Sequence, residues 1–448
     1  MSIGLSLQAK STSFAPGVRI GRLELAVFTL PVLLFQAIEL TWRAYLPRFL
    51  NQDVGIALGA VGALLLGARL LDAMADPLLG WISDTVRTPF GRRRPWMVFG
   101  ATLVPFGALL LFLAPTDASM TMIVAASLLL HIGYSFIITP HGGWGLELSD
   151  DRHQRTRIMG AKVWFAVVGS LGLLAFLALL ERGFAVPLRL EMALLGWAIA
   201  VLAPLTVLVV ILRFPERPAP DGAGQVGGPM MLIRAMLTNG DMRRILLLYI
   251  VTGAADAAAA SIFLFLAEDG LGLKGWSATL LMIQPVMALL TLPLWSRLSV
   301  RIGRKRVLMI AYAMQALAAP LLFLVPAGQP VLFGAFLVLR ALGWGVDYML
   351  LRAMIADVAD EGDRGASRFS ASYYGVSSIT LKIAMGLGGA GGLWLIDLAG
   401  RAIWPGGGDL ILRMAFAAPA MLAALIALPL LNGGRQMVPH AGTLQADA

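Results

Sequence analysis

Two carboxylates stand four residues apart in a stretch of apolar sequence. Asp72 and Asp76 share one face of a helix, because positions four apart lie about one turn apart. Counting back from Asp84 at about 1.5 Å per residue places Asp72 about 18 Å deep, near the middle of a bilayer. A carboxylate there costs several kcal/mol unless a cation, a proton or a basic side chain neutralises it. The pair therefore predicts a cation site or a fixed salt-bridge network with Arg69 and Lys382, and one site can be both.

The elements that hold these residues are predicted to be membrane-spanning helices. Of the 448 residues, 58% are hydrophobic and 14% are charged, and the mean hydropathy is +0.79, whereas soluble domains carry about a quarter charged residues. Apolar runs long enough to cross a bilayer start near positions 23, 54, 95, 118, 157 and 188, and again near 244, 273, 306, 329, 370 and 408. This pattern predicts an all-α membrane protein with about twelve transmembrane helices.

The spans divide into two sets of six, which predicts two pseudo-symmetric six-helix bundles. Residues 1–213 form the predicted N-terminal six-helix bundle, and residues 244–448 form the C-terminal six-helix bundle. Between them, residues 214–243 contain the string PERPAPDGAGQVGGP, whose proline, glycine and charge suit a flexible cytoplasmic interhalf loop.

Basic residues mark one side of the membrane. They cluster after the second, fourth and eighth spans, whereas the loops on the opposite side carry few. The positive-inside rule then predicts that both termini are cytoplasmic in a bacterial-type inner (plasma) membrane. The net charge of +9 lies in these short clusters and forms no basic face, so no nucleic-acid partner is predicted. The predicted partners are the lipid bilayer and a small-molecule substrate, and the protein is predicted to be a monomer.

The sequence lacks the residues that several kinds of chemistry require. The sequence contains no cysteine, which excludes disulfides, thiol catalysis and Cys-based metal sites. His131 and His141 have no second histidine at metal-ligand spacing, so packing or a hydrogen bond is predicted for each. The patterns H-E-x-x-H, G-x-S-x-G and Walker A are absent, and the protein is predicted not to be an enzyme. No cofactor or resident metal is expected, only a coupling ion, H⁺ or Na⁺.

Two loops repeat a glycine followed by a basic cluster, at residues 80–96 and 294–306, each after the second helix of a six-helix half. Such repeats are typical of transporters built from two related bundles. With the gating motif Gly80, Asp84, Gly91, Arg92 and Arg93, the sequence resembles the major facilitator superfamily. More narrowly, residues 68–96, 144–157 and 354–369, followed by Lys382, resemble the glycoside–pentoside–hexuronide:cation symporters, the family of the bacterial melibiose carrier.

The resemblance implies a site for the coupling cation at Asp72, Asp76, Ser135 and Lys382. The sequence departs from the family elsewhere: Ile138, Gln36, Gly142 and Val163 occupy positions where the melibiose carrier has two acidic residues, a stacking aromatic and an arginine. The galactoside-binding set is mostly lost, so the resemblance implies ion coupling but no galactoside. With one carboxylate fewer, H⁺ is favoured slightly over Na⁺.

Polar residues within the spans supply the candidates for the substrate path. The predicted substrate-binding residues are Gln36, Glu39, Arg43, Tyr134, Trp144, Lys162, Trp344 and Asp347. Glu39 and Arg43 stand four apart, so they form either a self-paired bridge or part of the path. Asp256 and Asp347, the latter beside Arg340, Trp344 and Tyr348, are expected to line the cavity from the second half. Glycines between positions 386 and 392 predict a close helix contact in span eleven.

These observations predict a secondary active transporter that works by alternating access. The predicted reaction is cation-coupled symport, with H⁺ or Na⁺, of a sugar- or glycoside-like or other small organic solute. A lysolipid or apolar-solute carrier of the same superfamily is the alternative, which a cavity opening laterally between helices would favour. An intramembrane enzyme is the alternative from another class, for which the sequence offers no nucleophile and base at matching depth.

Overall fold

The computed structural model describes residues 20–149, 152–214, 216, 239–362, 370–401 and 408–432. Within these ranges, twelve helices are long and apolar enough to cross a membrane. They are α1 (Arg22–Asp53), α2 (Leu58–Ser83), α3 (Arg94–Phe112), α4 (Met120–Gly145), α5 (Arg157–Gly183), α6 (Leu188–Arg213), α7 (Gly240–Gly270), α8 (Ser277–Ile302), α9 (Arg304–Leu324), α10 (Pro330–Ile355), α11 (Gly375–Gly400) and α12 (Asp409–Asn432). The prediction of twelve spans is confirmed, and the predicted starts lie within a few residues of the observed ones.

The packing between the two halves follows a pseudo-two-fold axis. Helix α2 packs on α11, α5 packs on α8, and α1 packs on α7. A two-fold axis would exchange each helix of the first half with the helix six places later in the chain. The α2–α11 contact then becomes the α8–α5 contact, which the structure also contains. This pattern matches the two pseudo-symmetric six-helix bundles that the sequence predicts. Most of the interhalf segment 214–243 lies outside the described residues, so its boundaries stay a prediction.

The halves are joined more tightly at one end of the molecule than at the other. We call the end that carries residues 84–94 and 302–304 the basic end, and the end that carries residues 53–58 and 270–277 the far end. Among the described residues, one continuous apolar core runs through the first half and into the far end of the second half. The basic end of the second half has a separate apolar cluster that includes Met242, Val307 and Leu351.

Helices α1 and α7 are wound more widely than an α-helix where they approach the far end. Helix α1 contains π-helical segments at Thr41–Tyr45 and Phe49–Asp53, and α7 ends in one at Phe265–Gly270. Their terminal segments begin with the related strings FLNQD and FLAED, so the symmetry of the fold is also present in the sequence. A π turn inserts one residue into the helical register and often occurs at functional sites.

Helix α11 passes very close to helices of both halves. A Cβ atom at Gly388 would overlap the backbone of Ala254 in α7, and one at Gly386 would lie 2.8 Å from the Cβ of Arg69 in α2. Only glycine allows such an approach, as the sequence predicts for span eleven. The contact brings the polar residues of α2 against α11.

Candidate functional site

Asp72 lies at the centre of a buried polar group between α1, α2 and α4. Its side chain is 1% exposed. Arg69 donates from Nη1 to Oδ2 of Asp72 at 3.3 Å, and Nδ1 of His131 lies 3.1 Å from Oδ1. Which of these two groups donates depends on the tautomer of His131, since an imidazole nitrogen can either donate or accept. Each oxygen of Asp72 therefore lies within hydrogen-bond distance of a side-chain nitrogen.

Arg69 also joins Asp72 to helix α1. Its two terminal nitrogens donate to the two carboxylate oxygens of Glu39, at 3.0 and 2.6 Å. Tyr134 on α4 donates to the same carboxylate at 3.4 Å. A two-pronged pair of this kind is the strongest geometry between arginine and a carboxylate. Glu39 thus belongs to the group around Asp72.

Of the two alternatives for Glu39 and Arg43, the self-paired bridge is not present in the structure. Arg43 forms an ion pair with Asp256 of α7, at 3.5 Å between Nη1 and Oδ2. Arg43 lies within the π segment that starts at Thr41, and the wider winding there alters the register that would place positions 39 and 43 on one face. Glu39 therefore faces α2, and Arg43 faces the second half.

Asp76 lies one helical turn from Asp72 and forms an ion pair with Lys382 of α11. Both side chains are about a quarter exposed. Thr139 on α4 also donates to Asp76, at 3.4 Å. The predicted contact of Lys382 with the helix-two carboxylates is therefore present, and it links the two halves. Ser135 is buried on α4, but it makes no hydrogen bond to either carboxylate among the described residues.

A cavity of about 160 Å³ lies between the halves, beside this polar group. Its polar lining residues are Gln36, Arg43, Ser170, Asp256, Gln284, Arg340 and Trp344. Phe263, Phe416 and several aliphatic side chains complete the wall. A smaller cleft, lined by Trp42, Arg43, Arg69 and Gly386 among others, lies between the cavity and the ion pairs of α2.

Asp256 organises the wall of the cavity that belongs to the second half. It accepts a hydrogen bond from Nε1 of Trp344 at 2.8 Å and one from the hydroxyl of Tyr348 at 3.4 Å, in addition to its ion pair with Arg43. Helix α10 is interrupted between Ala341 and Val346, where Gly345 has a φ of 81°. A residue with a side chain rarely adopts that conformation, and the break sets Arg340 and Trp344 against the cavity.

The structure brings three of the predicted substrate residues to the cavity, namely Gln36, Arg43 and Trp344. Gln36 accepts a hydrogen bond from Ser170 of α5 at 2.9 Å. Asp347 is buried in a small adjoining pocket with Asp256 and Tyr348.

Other predicted substrate residues do not line this cavity. Trp144 is 1% exposed and packs edge-on to Phe28, with the guanidinium of Arg94 5.7 Å from its ring. Lys162 donates to the carbonyl of His141 at 3.2 Å and lies 5.5 Å from the centre of the Phe28 ring. Both therefore take part in packing near the basic end, among residues 28, 94, 141 and 214.

The loop motif is folded against the first half. Gly91 has a φ of 114°, which requires glycine at this turn. The backbone N–H of Arg93 donates to Glu216 at 2.7 Å, and its side chain donates to the carbonyl of Pro140 at 3.2 Å, while Nε of Arg92 lies 4.0 Å from Glu216. The motif thus contacts the segment that leaves α6. The side chain of Asp84 lies outside the described part of the structure, so its predicted gating contact stays a prediction.

A second polar network joins the halves at the far end. Arg48 of α1 is 6% exposed and pairs with Glu268 at 2.7 Å and Asp269 at 2.9 Å, both in the π segment of α7. Gln52 donates to Asp269 at 2.9 Å. Elsewhere at this end, Glu181 of α5 accepts the backbone N–H of Ala278 in α8 at 3.0 and 3.1 Å. We call the set Arg48, Gln52, Glu268 and Asp269 the far-end latch.

Sequence reasoning missed the latch and part of the cavity wall. The related strings FLNQD and FLAED were the available signal for the latch, but both lie at helix ends, where charged residues are common. Gln284 places an amide within the apolar stretch of α8, which also marks it as a cavity candidate. Phe263 and Phe416 carry no such signal, since apolar residues fill both core and cavity walls.

The chain was compared with known proteins. The model of the family described as MFS/sugar transport protein matches residues 27–431. The glucuronide carrier protein homolog of Escherichia coli (strain K12) is 25% identical over 366 residues, which cover 80% of this chain and 79% of that protein. The uncharacterized symporter YjmB of Bacillus subtilis (strain 168) is 23% identical over 369 residues, covering 78% and 77%.

Solved structures show the same fold. The nucleoside transporter NupG superposes with a TM-score of 0.68 at 16% identity, covering 91% of this chain and 98% of that one. The family match spans both halves and includes α2, α4 and α11, which carry the ion pairs described above. The chain therefore belongs to the MFS/sugar transport protein family, among the glycoside–pentoside–hexuronide:cation symporters of the major facilitator superfamily.

Proposed function

We propose that this protein is a proton-coupled symporter of a small polar organic solute. The solute occupies the cavity between the halves, and the carboxylates Asp72 and Asp76 couple its movement to the ion. The observation that carries the proposal is the ion pair between Asp76 and Lys382, because it places a member of the predicted ion site on the contact between α2 and α11. A change in the charge of Asp76 acts directly on the contact between the two halves.

The donors around the carboxylates favour H⁺ over Na⁺. Asp72 is bonded to Arg69 and His131, and Asp76 to Lys382 and Thr139. A sodium ion would need several hard oxygen ligands, whereas three of these four partners present nitrogen atoms and Thr139 alone presents an oxygen. A proton needs only one carboxylate oxygen, and its arrival on Asp76 would release Lys382.

The cavity lining favours a polar solute over a lysolipid. Its wall includes two arginines, a carboxylate, two glutamines and a tryptophan. Similarity to the glucuronide carrier homolog and to the symporter YjmB supports this assignment. The basic end is assigned to the cytoplasm on the positive-inside rule, so the far-end latch lies on the outer side. In this conformation the carrier is joined at its outer end.

The test compares two modes of transport in proteoliposomes. Asp76→Asn and Asp72→Asn should each abolish uphill accumulation driven by an imposed pH gradient, while exchange of labelled for unlabelled solute without a gradient survives. Asp241→Asn is the matched control, because Asp241 pairs with Arg244 on the surface at the start of α7, away from the ion pairs. Accumulation by both site variants at the wild-type level would refute the coupling role. Accumulation that requires a Na⁺ gradient and ignores pH would refute the choice of ion.

A further inference from the structure

A second pocket, which we call the α2–α4 pocket, lies between these two helices and is larger than the cavity between the halves. Its volume is about 280 Å³, compared with about 160 Å³ for the central cavity. None of its described lining residues also lines the central cavity. Both of its walls belong to the first half, so the pocket lies outside the path between the two bundles.

The α2–α4 pocket opens towards the bilayer. Met120 and Leu128 of α4 form part of its rim, are exposed, and line neither the central cavity nor the smaller cleft beside Arg69. Gly67 of α2 forms part of the opposite wall, where a Cβ atom would meet nothing within 4 Å. The lining of α4 begins at the far end, which the positive-inside rule places on the outer side. A ligand would therefore enter from the outer half of the lipid phase.

Two polar side chains interrupt the apolar lining of this pocket. Among the described residues, they are Ser127 and His131, which stand four apart on α4 and are 2% and 1% exposed. In the part of the chain that the structure describes, neither Oγ of Ser127 nor Nε2 of His131 has a hydrogen-bond partner. Because buried polar groups without partners are costly, these two atoms favour a ligand that supplies a hydrogen bond.

A hydroxyl group suits both of these atoms. It donates one hydrogen bond and accepts others, so it can bond to Nε2 of His131 in either tautomer and to Oγ of Ser127 at the same time. A carboxylate or an ammonium group would be costly here, because the rest of the lining is apolar and offers no ion-pair partner. The ligand should therefore be neutral, with one hydroxyl group on an apolar body.

The volume of the pocket limits the size of that body. Ligand pockets commonly measure about 300 to 1,000 Å³, so a pocket of about 280 Å³ lies at the small end of this range. A single substituted ring or a short branched chain fits it.

His131 connects the α2–α4 pocket with the ion site. Its Nδ1 lies 3.1 Å from Oδ1 of Asp72, so one imidazole ring would contact both the carboxylate and the ligand. The hydrogen bond made by one ring nitrogen decides which nitrogen carries the proton of a neutral histidine. A hydroxyl group that donates to Nε2 would leave the proton on Nδ1, facing Asp72.

We propose that the α2–α4 pocket binds a small lipophilic alcohol or phenol from the bilayer, whose hydroxyl group bonds to Ser127 and His131. The ligand acts on the ion site through the imidazole of His131 and does not occupy the path of the solute. The inference goes beyond the proposed transport function and does not depend on it.

The test is fluorine NMR on the purified protein in lipid nanodiscs, which separates bound ligand from ligand dissolved in the lipid. The probe is 4-(trifluoromethyl)phenol, and its control is (trifluoromethyl)benzene, which lacks the hydroxyl group. The phenol should bind about tenfold more tightly than the control compound, because it alone makes the hydrogen bonds. Ser127→Ala should weaken the phenol about fivefold, as expected for one lost hydrogen bond, and leave the control compound unchanged.

Gly67→Leu should remove the bound resonance, because its side chain would enter the open space of the pocket. Gly172→Leu on α5 is the matched control, since a Cβ there also meets nothing within 4 Å and Gly172 does not line the pocket. It should bind the phenol as the wild type does. The ring-nitrogen signals of His131, identified by their loss in His131→Gln, should shift with the phenol and not with the control compound.

Equal binding of the two compounds would overturn the proposal, because the pocket would then be a groove for acyl chains. A bound resonance that persists in Gly67→Leu, the absence of one in the wild type, or unmoved His131 signals would also overturn it. If Gly67→Leu does not fold, Ser127→Ala decides, because unchanged phenol binding in it rules out the hydroxyl contact. Accumulation driven by a pH gradient is measured separately, so failure here leaves the proposed function standing.

Discussion

The carboxylates of α2 are held by two different kinds of contact. Asp72 is fully buried and bonded within its own half, whereas Asp76 is a quarter exposed and bonded across the halves. Breaking a contact within one half leaves the relation between the halves unchanged, but breaking the Asp76–Lys382 contact does not. We therefore propose that Asp72 shapes the ion site within the first half, and that Asp76 transmits a change in the charge of that site to the second half.

Removal of Lys382 should destabilise the protein more than removal of the whole ion pair. Lys382→Leu leaves the Asp76 carboxylate without its cation, and breaking a buried pair in this way costs about 3 to 5 kcal/mol. Since both side chains are partly exposed, we expect a loss at or below the lower end of that range. The double variant Lys382→Leu with Asp76→Asn removes both charges and should recover most of the melting temperature in detergent, without recovering uphill transport.

A melting temperature of the double variant below that of Lys382→Leu would contradict this account, because it would mean that the two side chains stabilise the fold independently. Lys382→Leu and Asp76→Asn should each reduce uphill transport more than gradient-free exchange. An equal loss of both activities in either variant would also contradict this account.

The charged side chains of this site could be predicted from the sequence. Asp72, Asp76 and Lys382 stand out because an apolar span tolerates a charge only with a partner, and the four-residue spacing fixes the face they share. The partner of Arg43 could not be predicted in the same way. A π segment is not visible in the residue pattern, and it turned this arginine from Glu39 toward Asp256, more than 200 positions away in the sequence.

At the scale of elements, α11 is a helix that packs against both halves of the molecule. It contacts α7 within its own half and α2 in the other, and the glycines at 386 and 388 remove the side chains that would hold these helices apart. The sequence predicted this close packing from the glycine spacing. It could not predict which neighbour each glycine faces, because that depends on how the two bundles are docked.

Gly388→Val should destabilise the fold. The new side chain would overlap the backbone of Ala254, which cannot move aside as a flexible side chain could, and overpacking of this kind costs about 1 to 3 kcal/mol. Gly391→Val on the same helix is the matched control, because nothing lies within 4 Å of a Cβ built there. Both changes carry the same loss of backbone freedom, so the difference between their melting temperatures measures the contact. Equal melting temperatures would disprove the close contact.

At the scale of the whole molecule, the far-end latch and the shared apolar core hold one end of the carrier together. The twelve spans and their two-fold arrangement were predictable because hydrophobic length and loop charge are local properties of the sequence. The latch was not, since its residues lie at helix ends, where charges near water are common and carry little information.

Arg48→Gln should open the far end more often. The change removes both ion pairs and leaves Glu268 beside Asp269 with no cation between them. A cysteine introduced at position 260, on the cavity wall, would be the only thiol in the chain. The rate at which it is labelled would report how often the far end opens. Its reaction with a membrane-impermeant maleimide added outside should be about tenfold faster in Arg48→Gln, which corresponds to about 1.4 kcal/mol.

Arg189→Gln serves as the control for this measurement. Arg189 also lies at the far end, but its hydrogen bonds go to Asp53, Ala114 and Thr116, all within the first half. Equal labelling rates in the Arg48 and Arg189 variants would show that the latch does not hold the halves together.

The charges at the middle of the molecule do not cancel as a set. Around the cavity and the adjoining ion pairs, five carboxylates lie near four basic side chains: Glu39, Asp72, Asp76, Asp256 and Asp347 against Arg43, Arg69, Arg340 and Lys382. A membrane potential of 100 mV does work of about 2.3 kcal/mol on each unit of net charge that crosses the membrane. With all five carboxylates ionised and His131 neutral, the centre carries one unit of negative charge, and one added proton cancels it. In the proposed proton-coupled cycle, the membrane voltage therefore acts on the return of the empty carrier and not on the step that carries the proton with a neutral solute.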